Sequence, residues 1–569
     1  MKKIIIISLL FVHGVFSQAF QNNYLWNQHH FHDLNIERIN EESCIVSGNI
    51  FDTGMNAFVP VALRLDSTGQ IDWAKTFSSN GQQNLRFFDS VVYHQNGQMI
   101  AVTGSVEVNG HKKVFIATFE LGSGLLIYNK YYDIVSPNFN STGLHIIYTQ
   151  ADHDGDGFAD PGFVVGGFFS NSYSLDTSAM NIGFVLRTSL DLTPVWTIEV
   201  DNTPGGNQDY NMVNKVVETP VGYFLTGGSN DPNSSQQGIL AHMVDFSGTA
   251  LWTNGYVYGN SRDVGVDAYY DPVSQHLFLL SNFSITHQFA ITVFDLTGAV
   301  VNSWYYTENN LNHYGFSIDE SLSDPNTLAI TGYARQFVWS DANGSYTGQT
   351  NAFVCEIDKT TGAQVGHAKI FAVPHIEPSG DEYNFWNAQM PLIYYPDIAY
   401  RQGSPTGPYH YIAGYKTDSN YVEANVFKLP TYESLCTFYD LNFVANSFNL
   451  INFTNDISGP TPVTPYNTNT VYSDITPVAT DCNGEALASG GYGSTPEWEA
   501  FPNPAGDTLY LSGINGAEYH IVNSAGVTVA KGTLPASSAI DTGNLSPGVY
   551  FLKITDGKTY LSETKFIKK

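Results

Sequence analysis

One short pattern returns along most of this chain. It is an apolar strand that ends on a small residue: CIVSGN, AVTGSV, FVVGGF, FLTGGS, FLLSNF, LAITGY and YIAGYK. The pivots are Gly48, Gly104, Gly167, Gly227, Asn282, Gly332 and Gly414, spaced roughly 50 to 65 residues apart except before the last. A second element follows the first six: VALRLDSTGQIDW, IATFELGSGLLIY, FVLRTSLDLTPVW, LAHMVDFSGTALW, AITVFDLTGAVVNSW and FVCEIDKTTGAQV. In three of these, Asp66, Asp245 and Asp295 stand three residues before Gly69, Gly248 and Gly298. Aspartate at the first position of a type I turn bonds the backbone ahead of it, and glycine at the last accepts a positive φ. Trp73, Trp196, Trp252 and Trp304 recur in the strand after the turn.

Each unit therefore reads as a meander of about four short strands, with no long 3.6-residue period to compete. One such sheet cannot cover both its faces. Seven packed radially can, which predicts an all-β chain built on a seven-bladed β-propeller. The seventh unit lacks the Asp–Gly–Trp strand, so the N-terminal segment NNYLWNQHHF, with Trp26, is expected to supply it and close the ring. The expected organisation is a leader over 1–17, the propeller over 18–436, a linker or irregular β segment over 437–496, and a small C-terminal β-sandwich over 497–569.

The leader reading rests on Lys2 and Lys3 ahead of the apolar run Ile4 to Phe16, with Ser17 before Gln18. That run is too short for a comfortable span and suits a cleaved secretory signal peptide. No later stretch is apolar enough to cross a bilayer. The 53 acidic residues against 24 basic ones give a net charge of −29, which repels nucleic acid and anionic membranes. Of the four cysteines, Cys44 and Cys355 lie in apolar strand patterns and read as buried thiols, while Cys436 and Cys482 flank one irregular segment and are a candidate disulfide.

The tail reads EAFPNPAGDTLYLSG, YHIVNSAGVTVAKG, IDTGNLSPGVYFLKITDG and TKFIKK. It closely resembles the type A C-terminal sorting domain of the type IX secretion system. The matching residues are Pro502, Asn503 and Pro504, the turn Asn523 to Gly526, then Ile540, Asp541, Leu545, Pro547, Gly548, Tyr550, Lys553 and the run from Lys565 through Lys568 and Lys569. The resemblance implies a Gram-negative exporter: the leader crosses the inner membrane, and this domain engages the secretion machinery at the outer one. In that family the domain is usually removed, and the cargo is released or held on the cell surface. After Glu497 the chain has six lysines and six acids, whereas 18–497 carries 16 basic residues against 47 acidic ones. A nearly neutral module on an acidic cargo suits a detachable tag.

The strongest local ligand motif is DHDGDGFAD. Asp152, Asp154, Asp156 and Asp160, with the carbonyl of Phe158, converge oxygens in a short glycine-bearing loop, as Ca²⁺ requires. A structural calcium that stiffens one blade is the expectation. His29, His30 and His32 lack a fixed third ligand and read as a polar edge strand. Asp66, Asp245, Asp295 and Asp358 read as turn formers rather than glycosidase carboxylates, and the recurrent tryptophans as core. No nucleophile elbow, zinc-protease helix or phosphate loop is present. The function expected is an exported propeller that binds glycan or protein through its rim loops. The alternative is a polysaccharide-acting hydrolase or lyase with its site in the central channel.

Overall fold

The structure is a computed structural model. Outside the described residues lie 1–19, 171–180, 202–210, 372–396, 400–409, 482–499 and shorter loop stretches, and over 333–352 and 366–499 the backbone alone is described. The described residues are all β. The chain divides into two units, Met1–Leu487 and Ala488–Lys569.

Unit one is a seven-bladed propeller. Blade 1 is the meander His30–Asn40, Ser43–Asp52, Ala57–Leu65 and Ile71–Ser79. Blades 2 to 6 begin on inner strands Gln83–His94, Asn140–Thr149, Met212–Thr219, Asp263–Asp271 and Leu311–Glu320. Their fourth strands are Leu126–Ile134, Pro194–Asp201, Ala250–Val257, Val300–Thr307 and Gln364–Phe371. Blade 7 takes Asp397–Ala399, His410–Thr417 and Val422–Leu429, then the N-terminal Phe20–Leu25, which pairs antiparallel with Val422–Leu429. The seven inner strands neighbour one another in order, and the seventh meets the first, so the ring is closed.

The recurring motifs mark the second and third strands of each blade, which lie between two neighbouring sheets. Gly162–Ser170 is buried along its whole length, and so are eight of the nine residues of Asn181–Ser189. That two-sided burial explains why these strands read as continuous apolar runs rather than alternating ones.

Every blade has five strands, not four. Residues 438–481, in the segment expected to be a linker or irregular β segment, form seven short strands that run backward round the ring. Phe438–Leu441 pairs with the fourth strand of blade 6, Val444–Ser447 with blade 5, and Ile451–Phe453 with blade 4. Asp456–Pro460, Val463–Asn467 and Thr470–Asp474 continue to blades 3, 2 and 1. Val478–Asp481 ends the circuit on the N-terminal strand itself. The segment is a belt. The belt strands cover the fourth-strand edges that a bare propeller would leave open, and strands of three to five residues are themselves too short to template further pairing.

Neighbouring blades are locked by the Asp–Gly turns. Asp66, Asp245 and Asp295 each accept three bonds: a backbone N–H and a hydroxyl two residues on, and a backbone N–H four residues on. Asp358 likewise accepts from Thr360 and Thr361. These aspartates are turn formers. The indole Nε1 of Trp73, Trp196 and Trp252 donates to Leu121, Phe246 and Leu296, carbonyls in the next blade's turn, at 2.9, 3.1 and 3.0 Å. Gly298 shows why glycine closes the turn: its φ is +84°, and a Cβ there would lie 2.7 Å from the Trp252 ring. Tyr24, Tyr132 and Tyr306 repeat the lock through hydroxyl bonds to Gly69, Leu192 and Gly362. Cys44 and Cys355 are buried thiols outside any disulfide, and Cys436 and Cys482 lie outside the described residues.

Unit two is a small sandwich. A three-stranded sheet of Ala500–Phe501, Thr508–Leu511 and Ala539–Asp541 shares one core with a four-stranded sheet of Thr528–Thr533, Glu518–Asn523, Gly548–Thr555 and Tyr560–Lys568.

Candidate functional site

Three places can carry function: the channel wall, the acidic loop of blade 3 and the sorting tail.

The channel wall is built on a repeated irregularity. The first six inner strands slip register at the same height, between His32 and Asn35, Phe87 and Asp89, Gly143 and His145, Val213 and Lys215, Gly265 and Asp267, and Gly315 and Ser317. A bulge of this kind re-aims the side chains around it. In blades 2, 3, 5 and 6 an apolar bulge residue is followed by a polar one, and both line a cavity of about 110 Å³ on the axis.

The polar members bond from blade to blade. Asp89 accepts from Asn35 Nδ2 at 2.7 Å and from the Ile146 amide at 2.7 Å. His145 Nδ1 accepts the Val216 amide at 3.2 Å, while Nε2 lies 3.5 Å from Asp89. An accepting Nδ1 fixes the neutral ring with its proton on Nε2. Burial, with Lys215 nearby, accordingly holds this histidine well below its ordinary pKa. Asp267 accepts Lys215 Nζ, Ser317 Oγ and the Ile318 amide, each at 2.9 Å. Asp33 accepts Asn49 Nδ2 and Arg86 Nη2, each at 2.7 Å, and burial outweighs the guanidinium to raise its pKa. Sequence reading missed this ring, because its polar members are Asn35, Asp89, His145, Lys215, Asp267 and Ser317 and so share no common letter.

The acidic loop joins the first two strands of blade 3. Asp152, Asp154 and Asp156 bring carboxylate oxygens within 4.8 Å of one another. Gly155 and Gly157 donate to Asp152 at 2.7 and 2.6 Å, and these amides, Gly157 foremost, lower its pKa. Phe158 donates its amide to Asp156 and leaves its ring 73% exposed. Asp160 stands with His153 and Asp154 instead, its carboxylate 2.6 Å from His153 Nδ1, while its carbonyl is held by the buried Arg187. The loop thus assembles three of the four expected carboxylates, and the donor set of hard oxygens fits calcium chemistry. His30 and His32 lie on the inner strand of blade 1, where only the backbone of these two residues is described, and His29 lies outside the described residues.

In the tail, Asp541 caps a turn through the Gly543 amide at 2.8 Å, and Leu545 closes it onto the Thr542 carbonyl. Tyr550 is buried, stacks on Phe566 at 5.7 Å and donates to the Ser546 carbonyl. Gly548 and Lys565 sit in the ladder opposite Lys568 and Phe551. Lys568 is 7% exposed and reaches Asp507 at 3.1 Å, and the amides of Ala505 and Lys569 tie the last strand to the opening segment just after Pro504. Pro502, Asn503 and Gly526 lie outside the described residues.

Residues 499–569 match the family described as "Secretion system C-terminal sorting domain". No curated protein matches the chain by sequence. Among solved structures, that of Sqt1 from Chaetomium thermophilum is 11% identical, covers 72% of this chain and 98% of its own, and superposes with a TM-score of 0.34. No helix among the described residues is long and apolar enough to cross a membrane. With the matching tail, the chain is a cargo of the type IX secretion system, a β-propeller that carries its sorting domain at its C-terminus and is bound for the cell surface or the extracellular space.

Proposed function

We propose that this exported propeller is a binding protein, recognising glycan or protein outside the cell through the loops of its rim. The supporting observation is the state of the channel wall. Asp89, Asp267 and His145 each spend their polar atoms on neighbouring blades, while Asp33 commits one oxygen to Asn49 and to Arg86 of blade 2 and keeps Oδ1 buried without a partner among the described residues. Groups held this way serve ring assembly, whereas an acid–base pair needs carboxylates free to meet a substrate proton. The channel cavity of about 110 Å³ is also well below the several hundred typical of small-molecule sites. A glycan array run beside a polysaccharide-degradation screen on the purified protein tests the reading: retention on the array with no soluble product supports it, and product release would replace it with the hydrolase or lyase alternative.

Calcium at Asp152, Asp154 and Asp156 belongs to the same reading as a structural ion. The three carboxylates repel one another in a single exposed loop, and a divalent cation removes that repulsion. Residues 1–17 act as the export leader, removed before Phe20–Leu25 takes its place in blade 7.

A further inference from the structure

The sorting domain must be read by something, and among its described residues one exposed aromatic pair stands out. Strand alternation sends Ala500, Leu509, Leu511 and Ile540 into the core shared by the two sheets. The intervening residues face outward from the three-stranded sheet. Two of these are aromatic, Phe501 and Tyr510, and they are direct cross-strand partners. Their rings stack with centroids 6.0 Å apart and planes 23° from parallel, yet they stay 49% and 43% exposed. A half-exposed aromatic pair stacked across neighbouring strands on an outward face gives the fold little that a threonine pair would not. Paired aromatics with rigid, half-open faces are instead the side chains on which binding energy concentrates.

Charge points the same way. The tail balances six lysines with six acids, while residues 18–497 carry 47 acidic residues against 16 basic ones. One of the six lysines, Lys568, is turned inward onto Asp507. Physiological salt screens the cargo's field and any attraction to the tail alike beyond about 8 Å, and the nearly neutral tail offers little net charge for a partner to read. A tag on so acidic a passenger has to be read by short-range apolar contact.

We propose that Phe501 and Tyr510 form the face by which the type IX machinery grips this domain. The partner surface is an apolar slot at the outer-membrane export apparatus that takes both rings together and gives a polar group to the Tyr510 hydroxyl. The proposal rests on the export route concluded above, so the experiment separates the two.

In the native host, the full-length chain, a chain ending at Glu497, a Phe501→Thr/Tyr510→Thr variant and a Phe501→Tyr/Tyr510→Phe exchange are each measured in medium, surface and periplasmic fractions. Loss of export by the truncated chain is the control for the route itself, and its continued export would overturn the route. The double threonine variant is expected to accumulate in the periplasm with export reduced by at least about tenfold, at an unchanged melting profile. The exchange variant is expected to travel like the parent. Parent-like export of the double threonine variant overturns the proposal, as does a parent that sediments as a dimer and a variant that sediments as a monomer. Should the threonine variant melt early, Phe501→Leu and Tyr510→Leu keep the apolar bulk and the fold. Export that falls with aromatic area then supports the proposal, and export indifferent to it overturns it.

Discussion

Replacing Gly227 with alanine probes the packing rule on which the ring depends. Gly227 pairs with Val213 just before the inner strand of blade 4 bulges. A Cβ built there falls 2.1 Å from the Met212 carbonyl oxygen and 2.9 Å from the Asn214 amide nitrogen. Ordinary contact begins near 3.4 Å, so the inner strand would have to retreat by more than 1 Å. It is not free to do so, because Asn214 Nδ2 holds the Gly265 carbonyl at 2.9 Å on one side and the Val216 amide holds His145 on the other. Overpacking of this kind costs about 1–3 kcal/mol, and the rigid neighbour places Gly227→Ala at the upper end. Two controls isolate the cause. Gly155→Ala adds a methyl that meets nothing within 4 Å, so only its φ of +79° is strained, and that strain stays in one loop. Ser281→Gly changes the matching site of blade 5, opposite Gly265, where a side chain is already accommodated, and is expected to cost no more than about 1 kcal/mol. Calorimetric melting and urea titration of the mature protein measure all three. A Gly227→Ala chain within about 0.5 kcal/mol of the parent would refute the reasoning.

Further outcomes follow from other contacts. Trp252→Phe keeps the ring but orphans the Leu296 carbonyl, and should cost about 1–2 kcal/mol in the same titration. His242 is fully buried, and burial lowers its pKa to about 3 from 6.5. Its folded form resists protonation while the unfolded chain accepts it, so its contribution is complete above pH 6.5 and is lost as pH falls toward 3. Stability should drop by about 1.4 kcal/mol per pH unit in that window, and His242→Gln should flatten the slope by that one proton. Chelation should lower the melting temperature of the parent but not of an Asp152→Asn/Asp154→Asn chain, and equal curves for the parent would remove calcium from the acidic loop. Deleting Ile567, Lys568 and Lys569 should free the Ala505 segment and speed proteolysis beside Pro504, while leaving the propeller's melting unchanged.

Much of this architecture could be read from the residues because its two loudest signals are geometric necessities. Strands buried on both faces must be apolar, and a turn that receives a neighbour's tryptophan ring needs glycine, so both recur along the chain, while the turn of blade 3, which receives Tyr132, has Leu192 at a φ of +65°. The open seventh blade showed as a missing strand, and the N-terminal residues supplied it. One pivot was misplaced by a residue: register puts Ser281, not Asn282, opposite the residue that precedes the bulge, and Asn282, opposite Val264, clamps the Gly315 amide and carbonyl of the next blade. The belt showed only as a linker or irregular β segment, because its strands are three to five residues long and rich in Pro, Thr and Asn. Their partners lie between 67 and 459 residues away, and no local period records them. In the acidic loop Asp152, Asp154 and Asp156 lie together, and Asp160 lies with Asp154 and His153, a histidine contact of which the aspartate spacing gives no hint.

An open array of repeats comes apart from its ends, where the outermost unit has a neighbour on one side only. This ring has no such end to start from. Its first strand, Phe20–Leu25, is clasped along both edges, by Val422–Leu429 within the blade and by Val478–Asp481 outside it. The same cord that finishes there has already crossed all six other blades, like a hoop drawn over the staves of a cask. Loosening one stave means slackening the cord at its neighbours, so blades that share little side-chain sequence are made to give way together. For a molecule sent beyond the reach of the cell's chaperones, that shared fate replaces repair with refusal to open.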